Sequence, residues 1–426
     1  MRDDAVVITG AALITALGRS PRETWDALIS GETGVKAIEG FEVRGFDCRL
    51  AAQVRGLDAG GLKVLPRSAR IMDLHSFLLL ECACAALEQA RLDRPSVPSE
   101  EIGFFVGMGM VDYKVEDFLP AVVASSGERG ELDMGKFYAK GYHQIYPLMT
   151  LSMLNNISVC QAAIHLNIRG ENAVFAPQAD SGAQAITEGR RAIVNGKARA
   201  VLAGGVSEKV SPESLARSHI QGVLSAGGSA SESSCRPFAT DRNGTVLGEG
   251  CGILCLESRR SADERGVPYN TMITGSGASF DTEQQSTAPS ADAIGRAMMA
   301  ALKNADVTPE QIDVVIGHGD GTCAGDGNEI DAIGETFARC LNRPVVFSSK
   351  QALGHLMAAA PVVDAILGMA ILETGLVPPT LRSAPPDGSI ALSTCDRPVK
   401  TAARRVMINC RSYEGQCASL ILERVA

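Results

Sequence analysis

A surplus of positive charge is missing from this chain. Lys and Arg number 40 against 49 Asp and Glu, a formal net charge of −9, which excludes a broad electrostatic footprint on nucleic acid and leaves room only for a local basic patch. Also missing is any grouping of Cys with His at metal-ligand spacing. Twelve cysteines in 426 residues do not make a disulfide framework. Cys82 and Cys84 fall in an apolar helical run and Cys251 and Cys255 flank "GIL", so they read as structural thiols, and no metal centre is expected. The opening "MRDDAVVITG" is acidic and runs straight into a strand, unlike a signal or transit peptide. No apolar stretch reads as long and clean enough to cross a bilayer. The expectation is a soluble, cytoplasmic protein that binds neither nucleic acid nor membrane.

Aromatic residues are scarce as well, at 4%, whereas Gly, Ala and Val are abundant and hydrophobic residues reach 45%. That mixture suits helices packed closely on a buried sheet, with enough chain for a large core or two fused domains. "DAVVITGAALIT" reads as a buried strand and "PRETWDALISG" as a helix, with Pro21 in its first turn. "MDLHSFLLLECACAALEQARL" is a long helix, and "EIGFFVGMGM", "NAVFAP" and "ARAVLAGGVSE" are strands, the last two separated by the helix "SGAQAITEGRRAIVNGK". This grammar predicts a mostly parallel sheet covered on both faces. It restarts after the charged "ESRRSADERGVP", so a seam is placed near 255–270, dividing an N-terminal half, 1–255, from a C-terminal half, 256–426. Two similar layered halves fit this pattern better than one uninterrupted sheet. The polar "SSGERGELDMGKFYAKGYHQI" reads as an excursion between strands, a surface loop or a partner surface.

Four places have the character of a converging site at element ends. The turn Pro177, Gln178, Ala179, Asp180, Ser181, Gly182 ends a strand and opens a helix, where backbone donors stabilise an anion or an acyl carbonyl. His318 in "GHGDGT" follows the apolar strand "VVIG", and "SSKQALGHLMAAA" sets Lys350 and His355 around another strand-to-helix transition. The last place is the C-terminal turn around Arg411 and Tyr413. His75, His143, His165 and His219 lack such paired placement, and Met108, Met110, Met153 and Met357 read as core packing or acyl-channel lining. The Gly-rich stretches have the spacing of neither a phosphate loop nor a dinucleotide fingerprint.

"VVITG", "CRPFATDRNGTVLGEG", "GHGDGTCAGDGNE", "SSKQALGHLMAAA" and "NCRSYEG", in this order, resemble the β-ketoacyl synthase family over almost the whole chain. The resemblance implies the α/β, thiolase-like layered fold with two related α/β halves. It places His318 and His355 at the two histidines that assist decarboxylation and condensation, Lys350 at the nearby lysine, and Glu329 in the supporting acidic network. An active member also carries a cysteine that accepts an acyl group from a carrier protein. Here Ala179 takes that position, or Gln178 if the turn slips by one residue. Cys160 and Cys235 sit outside the turn, and neither Ala nor Gln forms a thioester.

Other departures accompany this one. Asp320 stands where active relatives have a small hydroxyl residue, and Arg411, Ser412, Tyr413 and Glu414 replace a Phe/Gly-rich gate. Arg411 and Tyr413 thereby become candidates for the acyl pocket, with the heads of Arg411 and Glu414 either adding charge to the cleft, reaching solvent or pairing with each other. His318, Asp320 and Asp326 offer ligand atoms, but the family uses this region for organic acid–base chemistry. The whole resembles a chain-length factor, the nonelongating partner in type II polyketide or aryl-polyene synthesis. Such a subunit forms a heterodimer with a catalytic ketosynthase and works on chains carried by the phosphopantetheine of an acyl-carrier protein, with no tightly bound cofactor. The alternatives are a malonyl-carrier-protein decarboxylase supplying a starter unit and a noncatalytic acyl or carrier-protein binding homolog.

Overall fold

The computed structural model describes residues 5–57, 64, 66–69, 72–92, 96–111, 115–176, 178–226, 234–284, 286–380 and 397–425. Ten strands form the main sheet: β1 (Val6–Thr15), β2 (Ile102–Met108), β3 (Asn172–Phe175), β4 (Ala200–Val206), β5 (Gly250–Ser258), β6 (Thr271–Phe280), β7 (Val314–Ile316), β8 (Val345–Phe347), β9 (Arg405–Arg411) and β10 (Gln416–Arg424). Across the sheet they run β8-β7-β9-β10-β6-β1-β5-β4-β2-β3. The helices that matter for the site and its surroundings are α1 (Pro21–Ile29), α2 (Leu74–Gln89), α3 (Ser181–Val194), α4 (Ala291–Ala305), α5 (Cys323–Thr336), α6 (Lys350–Leu353) and α7 (Ala360–Thr374). Ser20 caps α1 through the Glu23 N–H, with Pro21 at its start.

Strand alternation sorts the side chains into layers. Val201 and Ala203 of β4, Leu254 and Leu256 of β5, Val314 and Ile316 of β7 and Leu420 and Leu422 of β10 all enter one central core. That core also holds the apolar faces of α3 and α7. The intervening residues point the other way. Leu202, Ile253 and Cys255 pack with α2, whereas Val315, Met407 and Ile421 pack with α4 and α5. The period-2 pattern of a strand buried on both faces thus yields α2, strands, α3 with α7, strands, and α4 with α5.

One expectation about the sheet is corrected. It is mixed rather than mostly parallel, with four parallel ladders and five antiparallel ones. The short turn between β9 and β10 accepts only antiparallel neighbours, since a parallel pair needs a long crossover. Strands of the two expected halves adjoin where β1 meets β6, through Val6 opposite Ile273 and Val7 opposite Met272. The division expected after residue 255 falls within β5, and helix Arg259–Arg265 then leads to β6.

The excursion around 125–145 is helical, with Met134–Lys136, a π-helical turn Phe137–Gly141 and a 3₁₀ turn Tyr142–Gln144. One stretch, Met357–Thr374, is long and apolar enough to span a membrane, contrary to the sequence expectation. It is 78% buried inside the protein and forms the core around α7.

Candidate functional site

β7 delivers His318 to the carboxyl end of the sheet, and two buried acids from α5 hold the loop that follows. Glu329 accepts the backbone N–H of His318 at 2.7 Å and of Gly319 at 2.8 Å. Asp326 accepts those of Asp320, Gly321 and Phe238. Gly319 and Gly321 lie at φ +39° and +81°, and a Cβ on Gly319 would come within 2.8 Å of the Phe238 ring. Such backbone is open to glycine at little cost. Burial raises the carboxyl pKa of Glu329, and burial with the charge of Asp320 raises that of Asp326 well above the usual range.

His355 follows α6 through Gly354 (φ +67°), and its N–H is fixed by the Val246 carbonyl at 2.7 Å. Its ring lies 4.9 Å from that of His318, centre to centre, edge to face at 84°. The Met357 N–H donates to His355 Nδ1 at 3.2 Å and the Arg411 N–H to His318 Nδ1 at 3.3 Å. With Nδ1 accepting in both rings, each neutral imidazole carries its proton on Nε2. Burial, then the charges of Arg411 and Lys350, push His318 well below the usual histidine range. Burial and Lys350 push His355 down to about 3. The pair therefore offers two neutral N–H donors, the arrangement suited to an oxygen that gains negative charge.

His318, Asp320 and His355 place ligand atoms within 4.8 Å of one another. The residues do not fit a metal ion. Both Nε2 atoms are protonated, and the Arg411 guanidinium already supplies the cation at 2.7 Å from Asp320 Oδ1.

Lys350 is buried, with Nζ 3.5 Å from Asp364 Oδ2, and the Ser349 hydroxyl donates to Asp364 Oδ1 at 2.7 Å. Sequence reasoning missed Asp364. Its signal was a lone acid inside the apolar run "APVVDAILGMAIL".

The altered turn opens α3. Pro177 lies outside the described residues; Ala179 and Asp180 are buried, at 1% and 4% exposure. Gln178 directs its amide away to the Glu414 carboxylate at 3.1 Å, so of these two neighbours Ala179 is the buried one. Asp180 accepts from Gln184, and burial raises its carboxyl pKa. The start of α3 presses against the segment after His355. A Cβ on Gly182 would come within 2.2 Å of the Ala358 carbonyl, so only glycine permits this approach.

Arg411 departs from two of the three sequence expectations for it. Its head neither reaches solvent nor pairs with Glu414; side-chain exposure is 1%, and Nη2 binds Asp320 Oδ1 at 2.7 Å, with Asp326 Oδ1 at 3.7 Å. The guanidinium lies over α5, where Gly325 makes room: a Cβ there would fall 1.8 Å from Nη2. Tyr413 donates to Asp320 Oδ2 at 3.2 Å and sets its ring 6.0 Å from that of His355. Burial alone would raise the Asp320 carboxyl. The Arg411 charge, with the His318 ring 3.7 Å away, outweighs it and holds that group well below the usual carboxylate range. Asp320 and the C-terminal turn, read from sequence as separate departures, are one buried cluster.

The remaining candidates sit elsewhere or in packing roles. His75 is buried in α2 and bonds Asp73 at 2.9 Å, while His219 packs its ring on Phe46. His143 lies in the 3₁₀ turn of the excursion and His165 in helix Asn155–Leu166. Met108 and Met357 are buried, whereas Met110 and Met153 are 38% and 37% exposed. Cys160 is exposed. Cys235 is buried, donates to the Asp320 carbonyl at 3.6 Å, and is pushed up to about 12 by burial, so it is held as a thiol.

Layering and site together define a protein of the thiolase-like fold with a buried histidine pair. The family model "Beta-ketoacyl synthase, N-terminal domain" matches residues 3–262 and "Beta-ketoacyl synthase, C-terminal domain" matches 271–383. The chain belongs to the β-ketoacyl synthase family. It is 30% identical to a 3-oxoacyl-[acyl-carrier-protein] synthase 2 of Vibrio cholerae, over 99% of each chain. Among solved structures it is similar to the ishigamide ketosynthase/chain length factor, with 27% identity, a TM-score of 0.86 and 99% of each chain covered. It is also similar to a β-ketoacyl synthase from Burkholderia phymatum STM815, with 26% identity, a TM-score of 0.85, and 99% and 100% covered.

Proposed function

We propose that this chain is a chain-length factor: a nonelongating subunit that pairs with a cysteine-bearing ketosynthase and shapes elongation on an acyl-carrier protein. The observation that carries the reading is the buried Ala179 at the mouth of α3, with Gln178 turned out to Glu414. Neither Ala179 nor Gln178 carries an atom that attacks a thioester, yet the histidine pair and the buried Lys350 remain. The substrate would arrive on the phosphopantetheine of the carrier protein, without a resident cofactor. Similarity to the Vibrio 3-oxoacyl-[acyl-carrier-protein] synthase supports an acyl-carrier setting, and similarity to the ishigamide ketosynthase/chain length factor supports such a pairing. The division into two halves, a cytoplasmic location and an aryl-polyene product belong to the same proposal, with Arg411 acting on the pocket through Asp320 and His318. Coexpression with the ketosynthase of its own pathway tests it. A stable heterodimer, with product made by the pair and by neither subunit alone, is expected; an active homodimer that never binds that ketosynthase rejects it. An interface on the order of 2,000 Å² or more is the scale for an obligate pair.

A second reading, malonyl-carrier-protein decarboxylase, is favoured by the two Nε2 donors of His318 and His355. Release of carbon dioxide without condensation, lost in His318→Ala and His355→Ala, would select it.

A further inference from the structure

We propose that Asp320 is a built-in occupant of the space served by the two histidine donors, and that it silences decarboxylation of a malonyl thioester by this chain. The inference rests on the reading of that cleft as one facing a carrier-bound thioester. In decarboxylation the bond between the α-carbon and the carboxyl group breaks and carbon dioxide leaves. The electron pair passes into the enolate, whose oxygen gains the negative charge, and a proton from water then completes an acetyl thioester. That oxygen needs the Nε2–H groups of His318 and His355. Asp320 Oδ2 is 3.7 Å from His318 Nε2, and the carboxylate shares a 4.8 Å cluster with His355. Among the described residues no closer acceptor engages His318 Nε2, which is buried without a hydrogen bond. A carboxylate held there competes for the donors and repels an enolate oxygen.

Four groups keep it in place. Arg411 Nη2 and the Thr322 hydroxyl each reach Oδ1 at 2.7 Å, the Thr322 N–H reaches it at 3.0 Å, and Tyr413 reaches Oδ2 at 3.2 Å. The Arg411 charge sits on Oδ1, away from the oxygen beside His318, so it anchors the carboxylate without freeing the histidine. Asp320 is thus a positioning residue that acts on the histidines, and Arg411 is its anchor.

The assay is carbon dioxide and acetyl-carrier-protein formation from malonyl-carrier protein by the purified chain. Wild type should stay near the uncatalysed rate. D320T/R411F, which removes both charges together, should gain roughly 100-fold, the scale of restoring one oxyanion donor. Adding H318A or H355A to that variant should abolish the gain, which a purely structural role for Asp320 would not require. D320N, nearly isosteric, covers the case in which the double variant fails to fold, and should gain in the same direction. Wild type turning over as fast as the variants would overturn the proposal. So would folded D320T/R411F, or folded D320N where the double variant does not fold, at the wild-type rate. Binding of the cognate ketosynthase, measured on the same proteins, reports on the chain-length-factor reading separately: its loss in wild type rejects that reading and leaves the decarboxylation result standing.

Discussion

Arg411 and Asp320, 91 positions apart in the chain, meet at 2.7 Å with side chains 1% and 0% exposed. A buried ion pair is costly to break from one side, because the remaining charge stays in a low-dielectric interior. Arg411→Met should therefore lower stability by about 3–5 kcal/mol. D320T/R411F should cost clearly less than the sum of its single variants. Urea unfolding of the four proteins checks this; additive losses would show the pair to be uncoupled.

Gly325 is the floor under that guanidinium. Gly325→Ala places a methyl in space already filled and should cost about 1–3 kcal/mol, the scale of overpacking. In an Arg411→Ala background the same substitution should cost less, since the obstructing head is gone. A double-mutant cycle by chemical denaturation reads the difference.

Acid should weaken the fold through the histidine pair. His355 is held at about 3 in the folded protein against about 6.5 in an unfolded chain. The unfolded state therefore binds the extra proton below about pH 6.5, and stability falls as pH drops from there toward the folded value, by about 1.4 kcal/mol per unit. Asp326 and Glu329 are raised and act in the opposite sense, gaining stability on acidification between the unfolded carboxylate pKa and their folded values. Comparison with His355→Gln cancels them to first order. From pH 6.5 to 4.5 the variant should gain on wild type by about 1.4 kcal/mol per unit; parallel pH curves would refute the buried neutral ring.

Thiol chemistry should avoid the site. Cys160 and Cys323 are exposed, so a thiol-labelling reagent should modify these first among the described cysteines. Cys235, Cys255 and Cys417 should react only on unfolding, since burial pushes their thiols far up. Offered acyl-carrier protein, wild type should show no thioester by intact mass. Ala179→Cys should acquire one, because it restores a sulfur at the start of α3.

Much of this was legible in one dimension. β2, β4 and β10 read as short apolar runs between turn residues, and α2 and α3 as longer helical stretches, so they stand out without coordinates. The loss of the nucleophile is a matter of residue type: alanine at 179 has no reactive atom in any fold. Strand direction was not legible, since it depends on which strands become neighbours; β1 lies between β5 and β6, far away in sequence.

The destination of Arg411 belongs wholly to the tertiary structure. A long charged side chain ends in solvent or in the core according to the partner it meets. That partner arrives from the other side of a ladder, on the loop after β7, with space cleared by Gly325 on α5. From the order of residues came a cleft without its thiol. Only packing decided that Asp320, Arg411 and Tyr413 would close around the two histidines, because charge complementarity between distant segments acts only after the core has brought them together.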